Sequence, residues 1–324
     1  MRNSRTTTSA LLLLFLVGGV ASAAEGRTFE TDILADTFGF GPQTKRAVDL
    51  ADLHQGCPAR DCIPSIDNPV FVAADAAGFL SDDDIVLAIE HGGEARAYPA
   101  RILNLHEIVN DTIGADPVAI TFCPLCGSGL AFRRVVDGEV TELGVSGVLY
   151  NSDLVFYDRN TGTLWDQVEG KGIVGPMTGA TLDTLPLTMT RWGRWRVSHP
   201  QTRVLSTETG YDEDYSVDPY AEYAHSARIV FPVAGTDERL HPKSVVFGAF
   251  IDDRYVAYSE RLLEAEGEFE DRLGDRELAV ELHAGGSVTI RDRQSGESFT
   301  PTRLFWFAWF AFHPETEIRD AGGG

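Results

Sequence analysis

The feature that most constrains this chain is that it repeats itself. Residues 245–263 (VVFGAFIDDRYVAYSERLL) align without gaps on residues 85–103 (IVLAIEHGGEARAYPARIL), 160 positions earlier. Tyr98 falls on Tyr258, Arg101 on Arg261 and Leu103 on Leu263. A second echo is sharper. Trp192, Trp195, His199, Pro200 and Thr202 recur at identical spacing as Trp306, Trp309, His313, Pro314 and Thr316, at an offset of 114. Two matches in the same order point to internal duplication. The shorter second offset leaves the later copy about 46 residues short between these landmarks. A duplicated fold needs its core in both copies, so residues present in one copy alone are the candidates for function. The expected division is a first repeat at 69–205 and a second, shorter repeat at 206–324.

Local patterning fills in the repeats. Ile85 to Glu90 reads as a strand, His91-Gly92-Gly93 as a turn and Glu94 to Tyr98 as the returning strand. Pro99 suits the first turn of a helix. The spacing of Ile102, Leu105, Ile108 and Val109 then predicts about three helical turns, ended by Gly114. Val118 to Phe122 reads as a strand running into Cys123, and Asp137-Gly138 as the turn of a following hairpin. The two Trp–Trp–His–Pro segments read as helices closing each half, with His199 and His313 as capping or packing residues before prolines. The expected fold is α+β and strand-rich, with two related halves packed as one globular unit.

The N-terminus carries a different signal. Arg2 and Arg5 precede an apolar run, Leu11 to Val20, and then Ala21-Ser22-Ala23. That is the pattern of a signal peptide over 1–23, too short for a bilayer span. It implies a secreted or periplasmic protein. Residues 24–68 read as an irregular N-terminal arm. Leu304 to Phe312 is very apolar but also too short to cross a membrane, so no integral segment is expected after signal removal. The formal net charge is −22, which repels nucleic acid and anionic membranes and argues against nucleic-acid partners.

The four cysteines form two close pairs, Cys57/Cys62 and Cys123/Cys126. An even count in an oxidising compartment suggests disulfides, and three pairings are open. For Cys57/Cys62 the short gap and Pro58 favour a local loop disulfide over metal ligation. Cys123-Pro124-Leu125-Cys126-Gly127 has the form of a knuckle whose two thiolates can hold a metal. His106 is the expected third ligand, with Asp153 or Glu107 completing or orienting the shell. Soft thiolates with an imidazole suit copper or zinc. Three other readings stand beside this one. The pair can act as a thiol–disulfide oxidoreductase, although a strand rather than a helix is expected after Cys126. A Cys nucleophile can use His106 as base with Asp111 or Asp153 as orienter. The protein can also be a non-catalytic binding or structural module whose thiols only stabilise a loop.

At the 160-residue offset Cys123 becomes His283, Cys126 becomes Gly286 and His106 becomes Glu266, so the thiols and this histidine belong to one copy. Tyr150-Asn151-Ser152-Asp153 reads as a turn that can rim a pocket beside Cys123. Asp158, Trp165 and Gln167 read as turn and core residues, and Asp82-Asp83-Asp84 as a solvated turn.

The runs IDNPVF (66–71), GEARAYPARILNLHEIVND (93–111), ITFCPLCGSGLAF (120–132), GVSGVLYNSDLVFYDRNTGTLWDQ (144–167) and FWFAWFAFHPET (305–316) resemble a widespread bacterial and archaeal family, the domain of unknown function 3179 family. The resemblance spans about residues 60 to 316 and implies an exported protein without supplying an activity. It highlights His106, Glu107, Asn110, Asp111, Cys123, Cys126, Tyr150, Asn151, Asp153, Asp158 and Trp165. Leu105 stands where the family often has tryptophan, and Cys57 and Cys62 lie outside the pattern.

Overall fold

The computed structural model describes residues 33–321. The expected signal peptide, 1–23, lies outside them. The described residues are mostly β, with 40% strand and 14% helix in a five-bladed, propeller-like arrangement. This corrects the α+β expectation. The clearest local cause is the segment after Pro99. A single helical turn, Ala100–Leu103, ends before His106, and the chain enters a strand at Ile108–Ile113. Ile108, Val109, Thr112 and Ile113 are β-branched and favour the pleated strand. Glu107 breaks the helix by taking a left-handed conformation, φ 57°.

Among the described residues, five sheets hold four or five strands each. One places strands in the order Thr188–Arg191, Ile85–His91, Glu94–Pro99, Arg203–Leu205 and Phe71–Ala73, with Arg203–Leu205 parallel to its neighbour Glu94–Pro99. Another runs Thr302–Phe305, Val245–Ile251, Arg254–Ser259 and Glu317–Arg319, again closed by a parallel strand. A second pair of sheets also matches. Ile108–Ile113, Asp116–Cys123, Ser128–Arg133 and Thr184–Leu185 form one meander with a returning edge, and Glu268–Leu273, Arg276–Leu282, Val288–Asp292 and Ser298–Phe299 form the other. The fifth sheet runs Leu53–Gln55, Leu143–Tyr150, Asp153–Asp158, Leu164–Asp166 and Gly172–Val174. Most of it comes from the segment that the later half lacks. Its edge strand comes from the N-terminal arm, which is therefore built into the fold.

The matched sheets also share polar fastenings. Tyr98 donates to Asp111 at 2.6 Å, and Tyr258 donates to Asp271 at 2.8 Å. Trp195 donates to Thr202 at 3.0 Å, and Trp309 to Thr316 at 2.8 Å. The aromatic helices are Trp192–Ser198 and Trp306–Phe312, with His199 and His313 at their C-caps. His199 stacks on Trp195 and His313 on Tyr255. Each of these buried hydroxyls, indoles and carboxylates is paired, as burial demands.

The largest hydrophobic cluster joins the two halves of the chain. It packs Phe132, Phe156 and Trp165 against Leu304, Phe305, Trp306 and Trp309, with Cys123 and Cys126 among them. Cys57 and Cys62 are joined as a disulfide, and Cys123 and Cys126 are free and buried. No helix among the described residues is long and apolar enough to cross a membrane.

Candidate metal centre

Two hairpins bring the site together. The first is Asp116–Cys123 with Ser128–Arg133, where Cys123 pairs with Ser128 across the turn. Gly127 holds a left-handed conformation, φ 61°, and a side chain there would meet the Phe305 ring at 2.9 Å. Glycine is thus required twice over, by the backbone and by the ring. The second hairpin is Leu143–Tyr150 with Asp153–Asp158, closed by Asn151 and Ser152 at φ 51° and 64°. Both turn residues are left-handed, the geometry that matches strand twist in a two-residue hairpin. This turn aims the Ser152 carbonyl at the thiols, 3.3 Å from Cys126 Sγ and 3.9 Å from Cys123 Sγ.

Asp153 follows directly. Its ligand oxygen and the two sulfurs lie within 4.8 Å of one another, and all three residues are buried. Among the described residues this is the group of metal-ligating side chains that the fold assembles. Asp153 Oδ2 accepts from the backbone N–H groups of Gln167 and Val168 at 3.1 and 3.2 Å, whereas Oδ1 is buried with no hydrogen-bond partner among the described residues. Ser152 Oγ and the Tyr223 hydroxyl are left in the same state. Gln167 braces the thiol turn by accepting from Ser128 Oγ at 2.6 Å and donating to Thr121 Oγ1 at 3.1 Å.

Burial dominates the electrostatics. It pushes the Asp153 carboxyl up to about 7 and both thiols above their ordinary range, Cys126 most strongly. Without a partner cation both thiols are therefore held protonated at neutral pH, while Asp153 titrates near it. Such thiols are poor nucleophiles at neutral pH, because the thiolate is the reactive form. A metal ion reverses this, since a coordinating thiol is deprotonated outright. The Asp153 carboxylate, whose neighbouring side-chain donor is the Cys126 thiol, and the two convergent sulfurs fit a cation. Three protein ligands also leave a tetrahedral metal one open position.

His106 is not in this group. Its Nδ1 lies 2.8 Å from the Pro64 carbonyl and its Nε2 2.7 Å from the Tyr215 hydroxyl. The carbonyl can only accept, so Nδ1 carries the proton and Nε2 accepts from Tyr215. Asp111 is engaged by Tyr98 and by Arg96 at 2.5 Å, a fastening with a counterpart in the other half. Asn110 donates to Asp67 and to the Leu143 carbonyl, so it ties sheets together. Asp158 closes its own turn and accepts from Trp165 Nε1 at 3.0 Å. Asn151 accepts from the Ala234 N–H at 2.8 Å. Tyr150 packs edge-on against Phe312.

The cover over the thiols comes from residues 206–244, a long connection with one short helix, Ala221–Ala224. Tyr215 reaches His106, and Tyr220 and Tyr223 lie close enough to the thiols for the sulfur charges to act on them. Lys243 is buried, with its ammonium 4.0 Å from the Tyr223 ring centre and 4.5 Å from that of Phe307. Burial draws its pKa down to about 8. Sequence reasoning missed this strap. Its one available signal was Lys243 itself, one of only three lysines in the chain.

No curated protein and no solved structure matches the chain. A family model described as "Protein of unknown function (DUF3179)" matches residues 60–316, which include Cys123, Cys126, Asp153 and the strap above them. With nearly its whole length matched, the chain belongs to the DUF3179 family.

Proposed function

We propose that this protein binds a thiophilic metal ion, zinc or copper, through Cys123, Cys126 and Asp153. The observation that carries the reading is the buried Asp153 Oδ1, unpartnered among the described residues and grouped with two thiols within 4.8 Å. An unsatisfied carboxylate oxygen in a core is costly, and a cation at that point satisfies it. Thiolate ligands select soft or borderline metals over magnesium or calcium. His106 supports the centre from outside as a positioning residue, by anchoring the strap through Tyr215. The disulfide at Cys57–Cys62 supports the reading that the protein is exported to an oxidising compartment, where its proposed signal peptide would direct it.

The matching strand orders and fastenings of the two halves support their origin by duplication, with repeats at 69–205 and 206–324. On that reading the thiol centre is an addition to the first repeat. Thiol–disulfide exchange is less well supported. Both thiols are buried, and the strand Ser128–Arg133 follows them in place of the helix N-terminus that would lower a thiol pKa.

The test is elemental analysis of untagged protein purified from an exported preparation, beside the Cys123→Ser/Cys126→Ser double variant. About one equivalent of zinc or copper in the parent and none in the folded double variant is the expected result. A metal-free parent that stays empty after reduction and reconstitution overturns the proposal.

A further inference from the structure

The two halves meet around a cavity of about 80 Å³. The early half contributes its edge strand Thr188–Arg191, with Arg191 on the lining, and Arg194 from the helix that follows. The later half contributes its edge strand Thr302–Phe305, with Arg303, and Glu260 and Glu264 from the helix Glu260–Glu266. Ile85, Phe247 and Leu263 form an apolar wall. Beside the cavity the halves close tightly, since a Cβ on Gly286 would lie 2.0 Å from Thr190 Oγ1. The space is therefore a local opening and not a loose interface.

The apolar wall belongs to the repeat. Ile85 corresponds to Val245, Phe247 to Leu87 and Leu263 to Leu103, at the 160-residue offset. The charges do not. Arg191, Arg194 and Arg303 stand where the other copy, 114 residues away, has Phe305, Ala308 and Met189. Glu260 and Glu264 stand where it has Ala100 and Asn104, 160 residues away. Every charged side chain on the lining is thus particular to one copy, the property that also singles out the thiols.

Three guanidinium groups against two carboxylates make the lining net positive, in a chain whose formal net charge is −22. Arg303 is the innermost of the three. Its side chain is 13% exposed, against 58% for Arg191 and 43% for Arg194. Arg303 Nη2 donates to Glu260 at 3.2 Å, whereas its Nε and Nη1 have no partner among the described residues. Neither nitrogen is sealed in the core, which leaves their N–H groups free for a ligand. Arg194 meets Glu264 at 3.4 Å and Arg191 meets Asp83 at 3.5 Å, both exposed pairs that water screens.

We propose that this cavity binds a small organic carboxylate, with its oxygens on the Arg303 guanidinium and its hydrocarbon part against Phe247, Leu263 and Ile85. The planar guanidinium fork matches a carboxylate, and Arg191 and Arg194 at the rim draw in an anion. Apolar walls around few polar groups favour an organic acid over an inorganic anion. One water needs roughly 10–15 Å³ of such space, so there is room for an acid of about three or four carbons. Among the described residues that line the cavity none belongs to the thiol centre, and the site needs no metal.

The experiment titrates propionate and butyrate into the whole mature protein by calorimetry, with sulfate as the control anion at equal ionic strength. The parent should bind one equivalent of at least one of the two acids, and sulfate more weakly. Arg303→Gln should weaken that binding about tenfold or more, the loss expected for a hydrogen bond to a charged group. Glu260→Gln frees the guanidinium from its competing carboxylate and should tighten binding by about two- to fivefold. Neither acid binding to the parent overturns the proposal, as does sulfate binding equally well. Unchanged binding in folded Arg303→Gln also overturns it. Should Arg303→Gln fail to fold, Glu260→Gln decides, and binding there that is unchanged or weaker overturns the proposal.

Discussion

The backbone N–H of Phe305 donates to the carbonyl of Cys126 at 2.8 Å. One hydrogen bond thus ties the thiol turn of the early half to the start of the last aromatic helix, some 180 residues on. The Phe305 ring lies over Gly127, so the turn is held from above and along its backbone. The thiol centre is accordingly a joint between the two halves of the chain, and its geometry depends on both.

Gly127→Ala should test that joint. The new methyl group would meet the Phe305 ring, and the left-handed backbone would be strained. We expect a loss of about 2–3 kcal/mol, read as a lower denaturant midpoint, with reduced metal content at equal folded protein. An unchanged midpoint would show that the turn is free to move.

Asp153→Asn addresses the carboxylate. In metal-free protein, burial raises the Asp153 pKa from its ordinary 3.8 to about 7. The folded state therefore holds this proton more tightly than the unfolded one. Its contribution is fully present below about pH 4 and is lost as pH rises through about 7, on the order of 4 kcal/mol in all. Metal-free parent should lose stability over that window, and Asp153→Asn should flatten the curve. Metal added above pH 7 should restore stability to the parent and much less to the variant. Thermal unfolding from pH 4 to 8, with and without chelator, reads all three.

His106→Ala separates support from ligation. It removes two buried hydrogen bonds and leaves a cavity beside the strap, a cost of about 2–4 kcal/mol. The variant should keep its metal, and once stripped of metal its Cys123 and Cys126 should react faster with a thiol reagent as Tyr215 lets go. Loss of the metal at full occupancy of the fold would make His106 a ligand.

The sequence carried some of this plainly and some not at all. The hairpins at Gly92-Gly93 and Asp137-Gly138, the two Trp helices and the strand into Cys123 follow from local turn chemistry and alternation, and they are present. The long helix after Pro99 is not, because Ile108 and Val109 satisfy a helical period and a strand equally well, and pairing with Asp116–Cys123 decided between them. That choice moved His106 off a helix and into a turn, where Pro64 and Tyr215 engage both its nitrogens. Asp153 was visible as a candidate, but its nearness to the thiols depends on the Asn151-Ser152 turn. The strap residues Tyr220, Tyr223 and Lys243 reach the site from about 100 residues away, through contacts that no local pattern encodes.

Metal-edge X-ray absorption on protein loaded with one equivalent of zinc tests the central claim most directly. The account predicts two sulfur scatterers at about 2.3 Å and oxygen at about 2.0–2.2 Å, with the sulfur shell lost in the Cys123→Ser/Cys126→Ser variant. A shell of nitrogen and oxygen alone, or zinc that washes away, would contradict it.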